Sequence, residues 1–333
     1  MLLRCRRRRP WSGLGVLFVH AHPDDEASAT ALTAALAARR GARTALVCLT
    51  TGDRGGVVDP ELRARVAWGR PSPECELRRL RAEELASSAR ILGFDRLIQL
   101  GYGDSGMPGS PDTARDTCLW QTWRGGDPRP VARLVRLIRR MRPQVVVTYD
   151  PGGGYGHPDH VATHHLTTAA VAAAADPGYR GELDLPDRLL LHGVPHQVAK
   201  LYHCCVPASV GEQVIAGAGR AGVDLHAVPS AGLYYGGTVP DAEVTTTVEA
   251  DDLIPVKQAA LRAHRSQISR EFPLLWDLQL HPWLRPVAAR EHFRLAATWG
   301  LGEVPPSEAP EDHLFGGLAA GPLGRAESPP VAV

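Results

Sequence analysis

The sequence predicts an α/β fold: a Rossmann-like, doubly wound, mostly parallel sheet with a smaller C-terminal α+β portion. Three observations predict it. Short aliphatic runs alternate with helical stretches between residues 15 and 150, the pattern of βαβ units with helices on both faces of a parallel sheet. The helical stretches close on Gly or Pro. Clusters of His and Asp stand where strands end, the edge at which open α/β sheets bind ligands.

In chain order, "GVLFVHA" (15–21) is the first strand and "SATALTAALAARRG" (28–41) the helix after it, closing on Gly41. "RTALVCLT" (43–50) is the second strand, and "CELRRLRAEELASSARILG" (75–93) a helix closing on Gly93. "RLIQLGY" (96–102) and "QVVVTYD" (144–150) are strands around the helix "PVARLVRLIRRMRP" (130–143), which closes on a Pro. "KLYHCCVP" (200–207) is a fifth strand, reached through a Pro-, Gly- and Asp-rich loop over 176–195. Later, "TTTVEA" (245–250) reads as a strand and "DDLIPVKQAALRAHRSQI" (251–268) as a helix. The expected organisation is a basic disordered prefix over 1–13, a metal-binding α/β domain over 14–207, a C-terminal portion over 208–302 that shapes the substrate site, and a poorly ordered Pro-, Glu- and Ser-rich tail over 303–333.

Composition narrows the function classes. Of 333 residues, 44% are hydrophobic and 22% charged, and the net charge of +1 offers no footprint for nucleic acid or an anionic membrane. No uninterrupted apolar run reaches the roughly 18 residues of a membrane span. The arginines of "RCRRRR" (4–9) precede too short an apolar stretch for an export signal. Six cysteines without CxxC or framework spacing fit a reduced, cytoplasmic protein.

The chemistry lies in two clusters. His22 and Asp25 are three residues apart at the exit of the first strand, and His157 and His160 repeat that spacing at the exit of "QVVVTYD". Residues three apart in a first helical turn face one point. Two imidazoles and a carboxylate suit a catalytic zinc with one position left open, and ferrous iron accepts the same ligands. The candidates are His22, Asp25 and His160, although spacing alone does not separate His160 from His157. Asp24 is the free carboxylate nearest in sequence to serve as general base. A single such pair commonly caps a helix; two at exits of one sheet, each with a spare acid, point to a metal hydrolase. A phosphoesterase would need the acids of a second metal, and a non-catalytic binding protein would need no Asp24. No GxSxG or GxGxxG is available for an acyl-enzyme or a dinucleotide.

"HAHPDDE" (20–26) together with "YGHPDH" (155–160) resembles the signature pair of the PIG-L/LmbE-like zinc-dependent N-deacetylases. Residues 145–175 are most similar to the actinobacterial mycothiol branch, which holds a GlcNAc-inositol deacetylase and a mycothiol S-conjugate amidase. The resemblance covers residues 15–175 and thins beyond them, with "ALRAHRSQI" (260–268) and "HLFGGL" (313–318) as later likenesses. It implies zinc on His22, Asp25 and His160 and Asp24 as base. It implies that His157 stabilises the oxyanion and protonates the amine, with Asp159 orienting it and Tyr155 as a mobile second donor. It further implies that Arg81 and Asp104 hold the polyol of a small-molecule amidoglycoside. The chain departs from the deacetylase at Gly103, where that enzyme has an arginine, and in the loop 53–74. The expected reaction removes an N-acyl group, acetyl first, from a glucosamine-type glycoside; a mycothiol S-conjugate and an acetylated antibiotic sugar are the alternative substrates.

Overall fold

The computed structural model describes residues 9–181, 194–225, 237–269, 275, 277–300 and 310–318. Its centre is β1 (Gly15–His20), six residues all buried. A strand covered on both faces is apolar at successive positions, which is why "GVLFVH" does not alternate with polar residues. β1 pairs in parallel with β2 (Arg43–Thr50) on one side and β4 (Val145–Thr148) on the other. β3 (Arg96–Tyr102) adds to β2 and β5 (Lys200–Pro207) to β4, again in parallel. The chain thus winds outward from β1 in both directions, and the gap between the carboxyl ends of β1 and β4 is the topological switch point.

Alternate residues of these strands feed two cores. Val16 and Phe18, with Leu46 and Val147, face Ala34 and Ala37 of α2 (Ala31–Arg40) and Leu85 and Ala89 of α4 (Pro73–Leu92). Leu17 and Val19, with Val47 and Val146, face α6 (Arg129–Met141) and α8 (Pro158–Ala175). Gly41 and Gly93 cap α2 and α4 in the left-handed region, as expected of them. The expected first helix is broken at Thr30 into α1 (Asp25–Ala29) and α2. Two short helices unmarked by strong periodicity, α3 (Pro60–Ala67) and α5 (Leu119–Arg124), lie in the loops after β2 and β3. A turn labelled α7 (Gly153–Gly156) leads into α8.

Beyond residue 207 the chain completes the same sheet. After α9 (Ala208–Ala221), short β6 (Thr238–Val239) pairs with β5. The strand expected over 245–250 is β7 (Thr246–Glu249), and the helix expected over 251–268 is regular only as α10 (Ile254–Ala263), ending at His264. After α11 (Arg285–Ala288) comes β8 (Arg290–Thr298), which inserts antiparallel between β5 and β7. The order is β3-β2-β1-β4-β5-β8-β7. Among the described residues no helix is long and apolar enough to cross a membrane.

Two stretches that composition sets aside as disordered are docked where the structure describes them. Trp11, within the basic prefix, lies 5.1 Å from the ring of His313 and 5.2 Å from that of Phe315. Within the Pro-rich tail, Leu314 and Phe315 are buried, and Glu311 exchanges backbone hydrogen bonds with Thr245 and Thr247. The Glu311 carboxylate accepts from Lys200 Nζ at 3.0 Å and Tyr202 Oη at 2.8 Å. Lys200 is 1% exposed and also donates to Tyr202 Oη at 3.2 Å, so Glu311 is the carboxylate that pairs with a buried ammonium. Glu311→Ala is expected to cost about 2 kcal/mol, less than the roughly 3–5 kcal/mol of a fully buried pair, read as a shift in the urea midpoint.

Candidate active site

His22, Pro23, Asp24 and Asp25 form the turn from β1 into α1, and His157, Asp159 and His160 the start of α8 after β4, so the switch point brings both clusters together. His22 Nδ1 lies 3.2 Å from His160 Nε2. Asp25 brings Oδ2 to 3.5 Å from His22 Nδ1 and Oδ1 to 3.5 Å from His160 Nε2. Donors of a tetrahedral site with metal–nitrogen bonds of about 2.0–2.1 Å stand about 3.3 Å apart; the two ring nitrogens match this, each has an Asp25 oxygen at 3.5 Å, and His157 brings a third ring nitrogen within 4.8 Å of both.

The outer partners assign the ring protons. Gly153 O lies 3.2 Å from His160 Nδ1 and accepts its proton, which leaves Nε2 a bare lone pair. His22 Nε2 donates to Asp159 Oδ2 at 3.2 Å, which leaves Nδ1 bare. Two lone pairs and a carboxylate converge on one point, an arrangement stable around a cation. Asp25 is oriented by the His22 amide at 2.7 Å and by the Tyr149 hydroxyl at 2.6 Å. Tyr149 in turn accepts from the Ala21 amide and stacks on His160, ring centroids 4.1 Å apart. Gly153 is irreplaceable here: at φ +65 its Cβ would stand 2.7 Å from Val161 N and 2.8 Å from His160 Cβ.

The electrostatics follow from burial among carboxylates. Without a cation, burial opposes the charge of His22, but Asp104, Asp159 and Asp25 outweigh it and raise the imidazole well above its ordinary value, so an ion binding at Nδ1 would displace a proton from it. Burial likewise opposes the charge of Asp25, yet His160 and His22 hold the carboxyl well below the usual range. His157 is pushed strongly down by burial, then by His22 and His160, and is therefore neutral. Its Nδ1 accepts from the Asp159 amide at 3.1 Å, capping α8, so its remaining proton sits on Nε2.

Asp24 caps α1 with a left-handed φ of 112, a region few non-glycine residues adopt. Burial raises its carboxyl to about 6 against the opposing charge of Arg81, and Arg81 Nη2 donates to Oδ2 at 3.0 Å. Tyr155 lies between glycines of positive φ, its ring 5.1 Å from that of His160 and 6.1 Å from that of His157.

The structure gives three of the expected residues specific partners. Asp159 holds the His157 ring through its backbone amide alone, at 3.1 Å, while its carboxylate accepts from Ser105 Oγ and the Ser105 amide and faces His22 Nε2. Arg81, expected at the substrate, is 3% exposed, and its guanidinium donates to Gly52 O, Pro23 O and Asp24. It braces the turn that carries Asp24. Asp104 is both a turn residue, accepting from the Gly106 amide at 2.8 Å, and a wall of the site, 3.7 Å from His22 Nε2.

Sequence reasoning did not single out Tyr149, Ser105 or His264. Tyr149 carried a signal as a hydroxyl at the end of an otherwise apolar strand, and His264 lies within the family-like segment "ALRAHRSQI" (260–268). The other histidines have local partners: His164 Nδ1 on Tyr149 O, His196 Nε2 on Pro143 O, and His165 stacked on Trp123. His192 and His226 lie outside the described residues.

Residues 17–171 match the PIG-L family, described as GlcNAc-PI de-N-acetylase. A 1D-myo-inositol 2-acetamido-2-deoxy-alpha-D-glucopyranoside deacetylase of Thermobispora bispora is 39% identical over 289 residues, covering 85% of this chain and 88% of the relative. The enzyme of the same name from Kineococcus radiotolerans is 37% identical over 317 residues, covering 91% and 83%. Among solved structures, the N,N'-diacetylchitobiose deacetylase of Pyrococcus horikoshii superposes with a TM-score of 0.54 at 22% identity, over 84% of this chain and 83% of that one. The 4-carboxy-2-hydroxymuconate hydratase GalB of Pseudomonas putida does so at 0.53 and 19%, over 86% and 97%. These structural likenesses show the fold, and a hydratase shares it, so activity is argued from relatives in sequence and from the site.

Proposed function

The chain belongs to the PIG-L, GlcNAc-PI de-N-acetylase, family, and from that premise we propose that it is a zinc-dependent N-deacetylase acting on the acetamido group of 1D-myo-inositol 2-acetamido-2-deoxy-alpha-D-glucopyranoside. The observation that carries the proposal is the convergence of His22 Nδ1, His160 Nε2 and Asp25 within 3.5 Å of one another, beside a carboxylate bound to none of them. The inositol glycoside is favoured by the two relatives, whose matched lengths span nearly all of this chain.

His22, Asp25 and His160 would hold the ion. A zinc bound there would supply a water of pKa near about 7 and polarise the amide carbonyl. Asp24, braced by Arg81, takes the proton of the attacking water, a task suited to a carboxyl near 6. His157 meets the developing oxyanion as a neutral Nε2–H donor, and Tyr155 reaches the same oxygen from its glycine-flanked turn. Because His157 holds no extra proton, the amine nitrogen receives its proton from Asp24, which has just taken one from water. Asp104 lines the sugar side with its carboxylate.

The test is amine release. Protein loaded with zinc is expected to free one amine per GlcNAc-inositol consumed, to lose turnover on chelation and to regain it on adding zinc. Release from an S-conjugate or an acetylated antibiotic sugar, with GlcNAc-inositol untouched, would keep the chemistry and overturn the substrate. Equal turnover before and after complete metal removal would overturn the chemistry.

A further inference from the structure

A buried chain of side chains reaches Asp24 from a turn 238 residues beyond Glu26 in sequence. Glu26 is fully buried, and its two carboxylate oxygens are divided between two tasks. Oε2 accepts from the Asp24 backbone N–H at 3.0 Å. Oε1 accepts from Ser88 Oγ at 2.5 Å and from His264 Nε2 at 2.6 Å. Ser88 lies on α4; His264 is the residue at which α10 ends, and it too is fully buried. The turn carrying His264 is fixed separately, since Glu84 of α4 accepts from the Ser266 amide at 2.8 Å and from Ser266 Oγ at 2.6 Å. Arg81, Glu84 and Ser88 follow at helical spacing along one buried side of α4, so that side serves the turn before α1 and the turn after α10 together.

The chain ends on a strained residue. Among the described residues Asp24 and Arg142 are the non-glycine positions with positive φ. Such a conformation costs about 1–3 kcal/mol and persists where its surroundings over-determine it. Three bonds do so here: the Asp24 N–H on Glu26, the Pro23 carbonyl on Arg81, and Asp24 Oδ2 on Arg81. Relaxation toward negative φ would rotate the Cα–Cβ bond and carry the carboxylate away from the site. The metal-facing atoms of His22, Asp25 and His160 are held by other partners, Asp159, Tyr149 and Gly153.

We propose that Glu26, seated by Ser88 and His264, is a positioning residue that holds Asp24 in its left-handed conformation and so aims the base, without contributing to metal binding. The proposal rests on the reading of Asp24 as the base. It gives the C-terminal portion a part in the chemistry itself, besides any contact with substrate.

The experiment compares kcat, KM and zinc affinity, the last by competition with a chromophoric chelator. Glu26→Ala is expected to lower kcat by about 10- to 100-fold, the scale of a misplacement near 1 Å, with KM and zinc affinity within about two-fold of the parent. Glu26→Gln keeps an acceptor for the Asp24 N–H and is expected to recover most of the loss. Should Glu26→Ala fail to fold, Ser88→Ala and His264→Gln remove less volume and are expected to lower kcat several-fold with the same unchanged zinc affinity. Zinc affinity falling in step with kcat, or kcat unmoved in all folded variants, would overturn the proposal. Asp24→Asn separates it from the reading beneath it. Full activity in Asp24→Asn removes the base itself. An inactive Asp24→Asn beside variants that lose zinc removes only the positioning role.

Discussion

Asp24→Asn is expected to lower kcat by about 10²- to 10⁴-fold, the usual contribution of a positioned general base, while zinc affinity and KM stay within about three-fold. Asn matches the size of Asp and keeps an oxygen for the Arg81 guanidinium, which donates to Oδ2 at 3.0 Å in the parent. It cannot take a proton. The side chain bears on none of the three metal-facing atoms, so metal binding should be blind to the change. Steady-state amine release together with chelator competition measures both quantities. Retained kcat with metal bound would transfer the base to another group, and lost metal would make Asp24 a ligand.

The second large effect concerns stability and lies far from the chemistry. Glu291 on β8 is 4% exposed and makes four hydrogen bonds. Oε1 accepts from the Leu32 amide at 2.9 Å and Lys257 Nζ at 3.1 Å, and Oε2 from the Thr33 amide at 2.9 Å and Thr33 Oγ1 at 2.7 Å. α2 begins without a side-chain cap from its own Thr30, and this carboxylate from the far end of the chain replaces it. Glu291→Ala leaves Lys257, 3% exposed, as a buried charge without its carboxylate, together with two helix amides without acceptors. The expected cost is about 3–5 kcal/mol, read from the urea midpoint at constant slope. Glu291→Gln should recover part of it. A loss below about 1 kcal/mol would mean that the segment after residue 290 docks by its apolar contacts alone.

Much of the fold was legible because the relevant signals are local. "GVLFVH" and "RTALVCLT" are strands buried on both faces, and such strands are apolar throughout. Gly41 and Gly93 end helices because an L side chain resists the left-handed cap. α3, α5 and α9 were not legible: α3 carries only Leu62 and Val66 on its buried side, α5 spans six residues, and the apolar face of α9 is diluted by glycines. β8 was missed because "REHFRLAAT" alternates weakly and carries charge at both ends of its buried part, Glu291 being satisfied only by partners distant in sequence. The His and Asp clusters at the two strand exits come together because both exits share the carboxyl edge of one parallel sheet.

By itself, then, the sequence determined which residue types could meet a cation and at which edge of the sheet, because a three-residue spacing after a buried strand constrains side chains within one helical turn. Tertiary structure alone decided which ring nitrogen of His22 faces the candidate ion site, that the Asp159 carboxylate turns to His22 while only its amide meets His157, that Arg81 and Glu26 brace Asp24, and that His264 takes part. The reason is physical: periodicity encodes only neighbours within a turn or a strand pair. A hydrogen bond between residues 26 and 264 exists because α4 and α10 pack on α1, and no local pattern carries that distance.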